Sequence, residues 1–99
     1  MVAKQFYVYM MASGKRGTLY TGVTSNLVYR IQQHREHFLP DSFTARYNVN
    51  RLVWFEAHDS AESAIRREKQ IKEWRRAWKV ELIQEANPTW RDLFEDIVG

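Results

Sequence analysis

Aromatic and β-branched residues cluster in three short stretches of the chain, and elsewhere apolar residues recur at helical spacing. Phe6-Tyr7-Val8-Tyr9-Met10-Met11 and Thr18-Leu19-Tyr20-Thr21-Gly22-Val23-Thr24 flank Ala12-Ser13-Gly14-Lys15-Arg16-Gly17, which predicts a β-hairpin with a loop longer than two residues. Alternation along a strand puts Tyr7 and Tyr9 on one sheet face and Val8 on the other. Thr24-Ser25-Asn26 offers capping oxygens ahead of Leu27, Arg30, Ile31 and His34, so a helix is expected to about His37, before Pro40-Asp41 ends the segment. Arg51-Leu52-Val53-Trp54-Phe55-Glu56 predicts a third strand. Asp59-Ser60-Ala61-Glu62 opens a long helix through about Trp74, and a further helical piece covers Ala77 to Glu85, broken by Asn87-Pro88. The segment from Leu39 to Asn50 carries the weakest signal. With no repeat or linker, the order β-β-α-β-α-α describes one α+β domain over residues 1–99, a small, mainly antiparallel three-stranded sheet flanked by helices.

Composition narrows the class. A chain of 99 residues buries only roughly 60 to 70% of its unfolded surface, so there is material for one core. The 44% hydrophobic and 14% aromatic content is enough to offset chain entropy, which excludes a disordered protein. Cysteine is absent, so disulfide scaffolds, zinc ribbons, Fe–S sites and thiol catalysis are excluded, and a reducing cytoplasm is the expected compartment. Met1 to Phe6 lacks a signal-peptide run, and no stretch nears the roughly 20 apolar residues of a membrane span. Charge is unevenly placed: residues 1 to 79 hold fourteen basic and seven acidic side chains, whereas 80 to 99 hold one and five. A basic body suits a polyanion such as nucleic acid, although the same balance occurs in proteins that bind none.

Several residues suggest chemistry. On the helix after Asp59, a stripe of Ala64, Ile65 and Ile71 contains Glu68. A carboxylate there needs either a metal ion or a cation, such as an arginine from another helix. Arg30 and His34 stand four apart on one helix face, where an arginine fork and a proton carrier can grip one phosphate, although such a pair is also a common surface arrangement. His34 and His37, at i, i+3 with no third ligand, make a weak zinc signal. Tyr7, Tyr9 and Tyr20 suit core packing with hydroxyls at the rim. From Arg66 to Lys79, seven cations face two acids, with Trp74 and Trp78 among them. That density serves either a solvated helix face or contact with a phosphate backbone.

Taken in order, these pieces resemble the GIY-YIG nuclease superfamily, specifically its small stand-alone bacterial members related to the nuclease domain of the nucleotide-excision-repair excinuclease. Tyr7-Val8-Tyr9 and Tyr20-Thr21-Gly22 stand where the two name motifs belong. Gly22 to Leu27 leading to Arg30 and His34, Phe43-Thr44-Ala45-Arg46-Tyr47, Arg67 to Lys72, and Asn87-Pro88-Thr89-Trp90-Arg91-Asp92-Leu93 follow in register. Tyr7 replaces the first motif's glycine and Thr21 the second motif's isoleucine, neither a reacting side chain. The resemblance implies catalytic positions at Tyr9, Tyr20, Arg30 and His34, with Asn87 as a further candidate, and one Mg2+ or Mn2+ ion held by Glu68. It implies hydrolysis of a phosphodiester by an in-line water whose proton passes to a Tyr9 phenolate, its pKa lowered by nearby cations, with help from His34. The expected partner is nucleic acid, DNA rather than RNA, contacted by Lys15, Arg16, Arg46, Arg66, Lys69, Lys72, Arg75, Arg76 and Lys79, in repair or processing. Two alternatives stay open: an inactive nucleic-acid-binding module of the same fold, and a protein that dimerises through Trp54, Trp74, Trp78 and Trp90.

Overall fold

The computed structural model describes residues 5–36 and 46–98. Strand β1 (Phe6–Ala12) lies between β2 (Leu19–Thr24) and β3 (Arg51–His58), antiparallel to both, in the order β2-β1-β3. Because β1 is central and covered on both faces, Val8 through Ala12 have no exposure at all. Helix α1 (Leu27–Arg35) follows the hairpin, and α2 (Ala61–Glu73), α3 (Arg76–Ala86) and the short α4 (Phe94–Val98) follow β3. The expected α+β order is present, with α4 added. Helix α1 ends at Arg35 with Glu36 as its C-cap, just short of the expected end near His37; His37 itself and the Phe43-Thr44-Ala45 stretch lie outside the described residues. No helix among the described residues is long and apolar enough to cross a membrane.

The expected caps form. Asn26 Oδ1 accepts from the Tyr29 amide at 3.2 Å, and Ser60 Oγ accepts from the Ser63 amide at 3.2 Å, each satisfying an amide left free by the first helical turn.

Strand alternation divides the core. Val8, Met10 and Ala12 pack on one face with Ala64 and Ile71 of α2, Ile83 of α3, and Trp90. Tyr9 and Met11 pack on the other with Leu27 and Ile31 of α1, flanked by Tyr7, Leu93 and Phe94, so Tyr7 and Tyr9 share a face as their spacing requires. Ile65 does not join the α2 stripe. At 43% exposure it sits one helical step, about 100°, away from Ala64. Trp54 and Trp90 are core residues, 6% and 0% exposed, so neither is available to a dimer surface.

One irregularity organises the far end of the chain. Met10 pairs with Trp54 and Met11 with Leu52, so Val53 is an extra residue whose carbonyl the β1 ladder does not use. Asn87 Nδ2 donates to that carbonyl at 3.1 Å and to Arg91 O at 2.9 Å, while Asn87 Oδ1 accepts from Arg91 N at 3.2 Å. The bracketed turn holds Trp90 at φ 59°, a left-handed conformation that a bulky residue adopts only when its surroundings over-determine it.

Candidate active site

Tyr9 is the centre of the site. It is buried in the middle of β1 directly opposite Gly22 of β2. A Cβ built on Gly22 would fall 2.5 Å from the Tyr9 hydroxyl and 2.6 Å from its Cζ. The last position of Tyr20-Thr21-Gly22 is therefore a glycine because the tyrosine ring occupies the space a side chain would need. Directed across β2, the Tyr9 hydroxyl reaches His34 Nε2 at 3.0 Å. The Tyr20 ring is 6.2 Å from the Tyr9 ring and 5.1 Å from the His34 ring. Arg30, one turn before His34 on α1, stands beside the Tyr9 hydroxyl, and its Nη1 donates to Gln33 Oε1 at 3.3 Å. Four of the predicted residues, two from the hairpin and two from α1, thus form one cluster.

Electrostatics in this cluster correct the expected phenolate. Burial pushes the Tyr9 hydroxyl well above the ordinary phenol range, and the neighbouring Arg30 opposes that shift without reversing it. Burial, and next to it the charge on Arg30, lower the His34 pKa from 6.5 to about 4. At neutral pH the resting pair is a phenol beside a neutral imidazole, because burial disfavours the charged form of both groups. Such a pair can relay a proton along its hydrogen bond without holding a charge at rest.

Glu68 comes from α2, on the opposite face of the sheet. Its side chain is 13% exposed, and Oε1 lies 3.2 Å from the ammonium of Lys72, which is 52% exposed. The expected arginine from another helix is replaced by a lysine one turn along the same helix. At edge strand β2, Tyr20 of the cluster shares one depression with Leu19, Thr21, Lys79 and Lys72, the partner of Glu68. No group of three or more His, Cys, Asp or Glu among the described residues is arranged to hold a metal ion. Glu68 alone therefore fits only an ion that keeps most of its waters. A hard dication such as Mg2+ does so, and the Lys72 ammonium beside Glu68, on a half-exposed side chain, would have to give way to it.

The predicted cations have separate places. Lys72 and Lys79 border Tyr20. Arg76 Nη2 donates to the carbonyls of Arg16 and Gly17, both at 2.7 Å, latching the hairpin loop rather than standing ready for a phosphate. Arg75 stacks on Trp78, 5.2 Å from the ring centroid. Arg66 and Lys69 flank Ile65 around another shallow depression. Lys15, Arg16 and Arg46 are exposed in loops or beside them. Asn87 is 3% exposed and commits its amide to backbone groups of its own chain. There its amide closes the bulge and the Trp90 turn.

Sequence patterns leave two contributors out. Gln33, which steadies Arg30, is accessible from its i, i+3 spacing on the helix. Thr21, 6% exposed, lines the depression, but nothing in its type marks it.

The chain is similar to known proteins at the level of family and fold. The profile of the GIY-YIG catalytic domain matches residues 5–81. A UPF0213 protein of Syntrophus aciditrophicus is 38% identical over 82 residues, covering 83% of this chain and 92% of the relative. One of Natronomonas pharaonis is 35% identical over 86 residues, covering 83% and 94%. Among solved structures, the solution NMR structure of a UPF0213 protein of Bacillus halodurans superimposes with a TM-score of 0.55 at 30% identity, covering 89% of this chain and 92% of that one. With a profile match over most of its length, and relatives matched over nearly theirs, the chain belongs to the GIY-YIG nuclease family, among its UPF0213 members.

Proposed function

We propose that this protein is an endonuclease that hydrolyses phosphodiester bonds in DNA, in repair or processing, using one Mg2+ or Mn2+ ion held by Glu68. The observation that carries the reading is the buried 3.0 Å contact between the Tyr9 hydroxyl and His34 Nε2, with Arg30 beside it. The attacking water gives its proton to the Tyr9 oxygen as Tyr9 passes its own proton to His34. His34 is a poor base at rest, partly because of the charge on Arg30. A substrate phosphate seated on Arg30 offsets that charge and so raises the basicity of His34 when it is needed. Arg30 then stabilises the charge that builds on the non-bridging oxygens, and Tyr20 orients the water or a phosphate oxygen. Glu68 would hold the metal ion, which would supply positive charge for the departing 3′ oxygen. Lys72 and Lys79 hold the phosphates next to the scissile one.

The test is nicking of plasmid, branched and single-stranded DNA, with RNA in parallel, in Mg2+ and in Mn2+. Glu68→Gln is expected to abolish cleavage with the fold intact, and Tyr9→Phe to reduce it by about 100-fold or more, the usual scale for a lost proton acceptor. Binding without cleavage by the wild type in either metal would favour the inactive module. Unfolding of Glu68→Gln would make the Glu68–Lys72 pair structural.

A further inference from the structure

We infer that Lys72 couples metal binding to phosphate binding, acting as the resident counter-ion of Glu68 that is released to the substrate when a metal arrives. The inference rests on the reading of Glu68 as the metal ligand and adds to it a role for its lysine partner. The Glu68 carboxylate is mostly buried, and the structure pairs it with the Lys72 ammonium at 3.2 Å. That pairing gives a carboxylate in a poorly solvated place a cation in the absence of metal. A dication on Glu68 supplies the same charge twice over and repels the ammonium. Lys72 sits on the last turn of α2 with 52% of its side chain exposed, so its four-carbon stem is free to turn. The place it turns toward is already built: Lys72 borders the depression lined by Tyr20, Thr21 and Lys79. Lys79 is held beside it, its Nζ 3.5 Å from the Lys72 carbonyl. Once Lys72 is released, two lysines bordering the same depression as the tyrosine of the second motif would make a phosphate seat. With its ammonium engaged by Glu68, Lys72 offers that seat less than a full cation; after release it offers a full one. Linkage then requires the reverse effect as well, so a phosphate that draws Lys72 away must tighten the metal by the same factor.

The outcome is a site that binds metal weakly until a nucleic acid is present. Such a nuclease takes up its ion only where its substrate is at hand.

The experiment measures metal binding without cleavage. Mn2+ affinity is read from the loss of the free-ion EPR signal in the absence of DNA, for wild type, Lys72→Met, Lys72→Arg, Glu68→Gln and, as a charge-deletion control on another surface, Arg91→Gln. Affinity for a short DNA duplex is measured at constant ionic strength with and without Ca2+. Lys72→Met is expected to bind Mn2+ about 10-fold more tightly than wild type, the scale of one displaced charge-assisted contact. It is also expected to lose the gain in DNA affinity that Ca2+ gives the wild type. Lys72→Arg should keep the coupling and Arg91→Gln should leave both quantities unchanged. If Glu68→Gln loses Mn2+ while Lys72→Met binds it as wild type does, or keeps the full Ca2+ effect on DNA, the coupling is refuted and the metal site stands. If wild type and Glu68→Gln bind Mn2+ alike, Glu68 is not the ligand and both readings fall.

Discussion

Replacing His34 with glutamine tests the electrostatic heart of the site through stability alone, with no substrate needed. In the folded protein His34 is 4% exposed and its pKa is lowered from 6.5 to about 4, by burial first and by Arg30 second. The sign follows from which state binds the proton. Above about pH 6.5 the ring is neutral in both states and contributes nothing to pH dependence. As the pH falls from 6.5 toward 4, the unfolded chain takes up a proton that the folded protein refuses, so stability is lost; below 4 both states are protonated and the loss levels off. At about 1.4 kcal/mol per pH unit the full loss is about 3 kcal/mol, of which about 2 kcal/mol falls between pH 7 and pH 5. Urea unfolding at these two pH values, in wild type and in His34→Gln, isolates this contribution, because groups unaffected by the substitution cancel in the comparison. With the urea dependence usual for small domains, the wild-type midpoint should fall by about 1 to 2 M more than that of the variant. NMR of the wild type should show the His34 ring titrating near pH 4. Equal falls in the two proteins, or a ring that titrates near 6.5, would refute the burial argument, and with it the neutral Tyr9–His34 pair on which the proton transfer depends.

Gly22→Ala should destabilise the protein by about 1 to 3 kcal/mol, the range for overpacking a filled core, because its Cβ would meet the buried Tyr9 ring 2.5 Å from the hydroxyl; thermal unfolding checks the stability and the nicking assay should show reduced cleavage from a displaced Tyr9. Asn87→Ala leaves the carbonyl of the bulged Val53 unsatisfied and releases the turn that strains Trp90, so a loss of about 2 kcal/mol or more is expected, read from urea unfolding, with metal affinity of the folded protein unchanged. Replacing both Lys72 and Lys79 with alanine should flatten the dependence of log DNA affinity on log salt by roughly one to two units. Arg76→Ala should leave that slope nearly intact, since its guanidinium is engaged with the hairpin carbonyls; fluorescence anisotropy over a salt series distinguishes the two.

What the chain determined by itself was local. The alternation Tyr7-Val8-Tyr9, the capping oxygens of Asn26 and Ser60 and the break at Asn87-Pro88 each act within a few residues, and strands and helices appear where those signals stand. The pairing of Arg30 with His34 is likewise legible, because helical geometry alone puts positions four apart on one face. Phe94–Val98 gives too short a run to declare itself, since its helix depends on packing Leu93, Phe94 and Ile97 against the second core face. Tertiary structure alone decided the charges and the partners. Whether Tyr9 is a phenolate or a phenol depends on how deeply the sheet and α1 bury it, and desolvation at this depth outweighs the single neighbouring arginine. Asn87 turned out to serve a bulge that exists only because β1 and β3 slip between Met10 and Met11. Arg76 met the carbonyls of Arg16 and Gly17 across about sixty residues of chain. A basic run in a sequence counts charges, but only the folded surface determines which of them are already engaged by the protein and which remain for a phosphate.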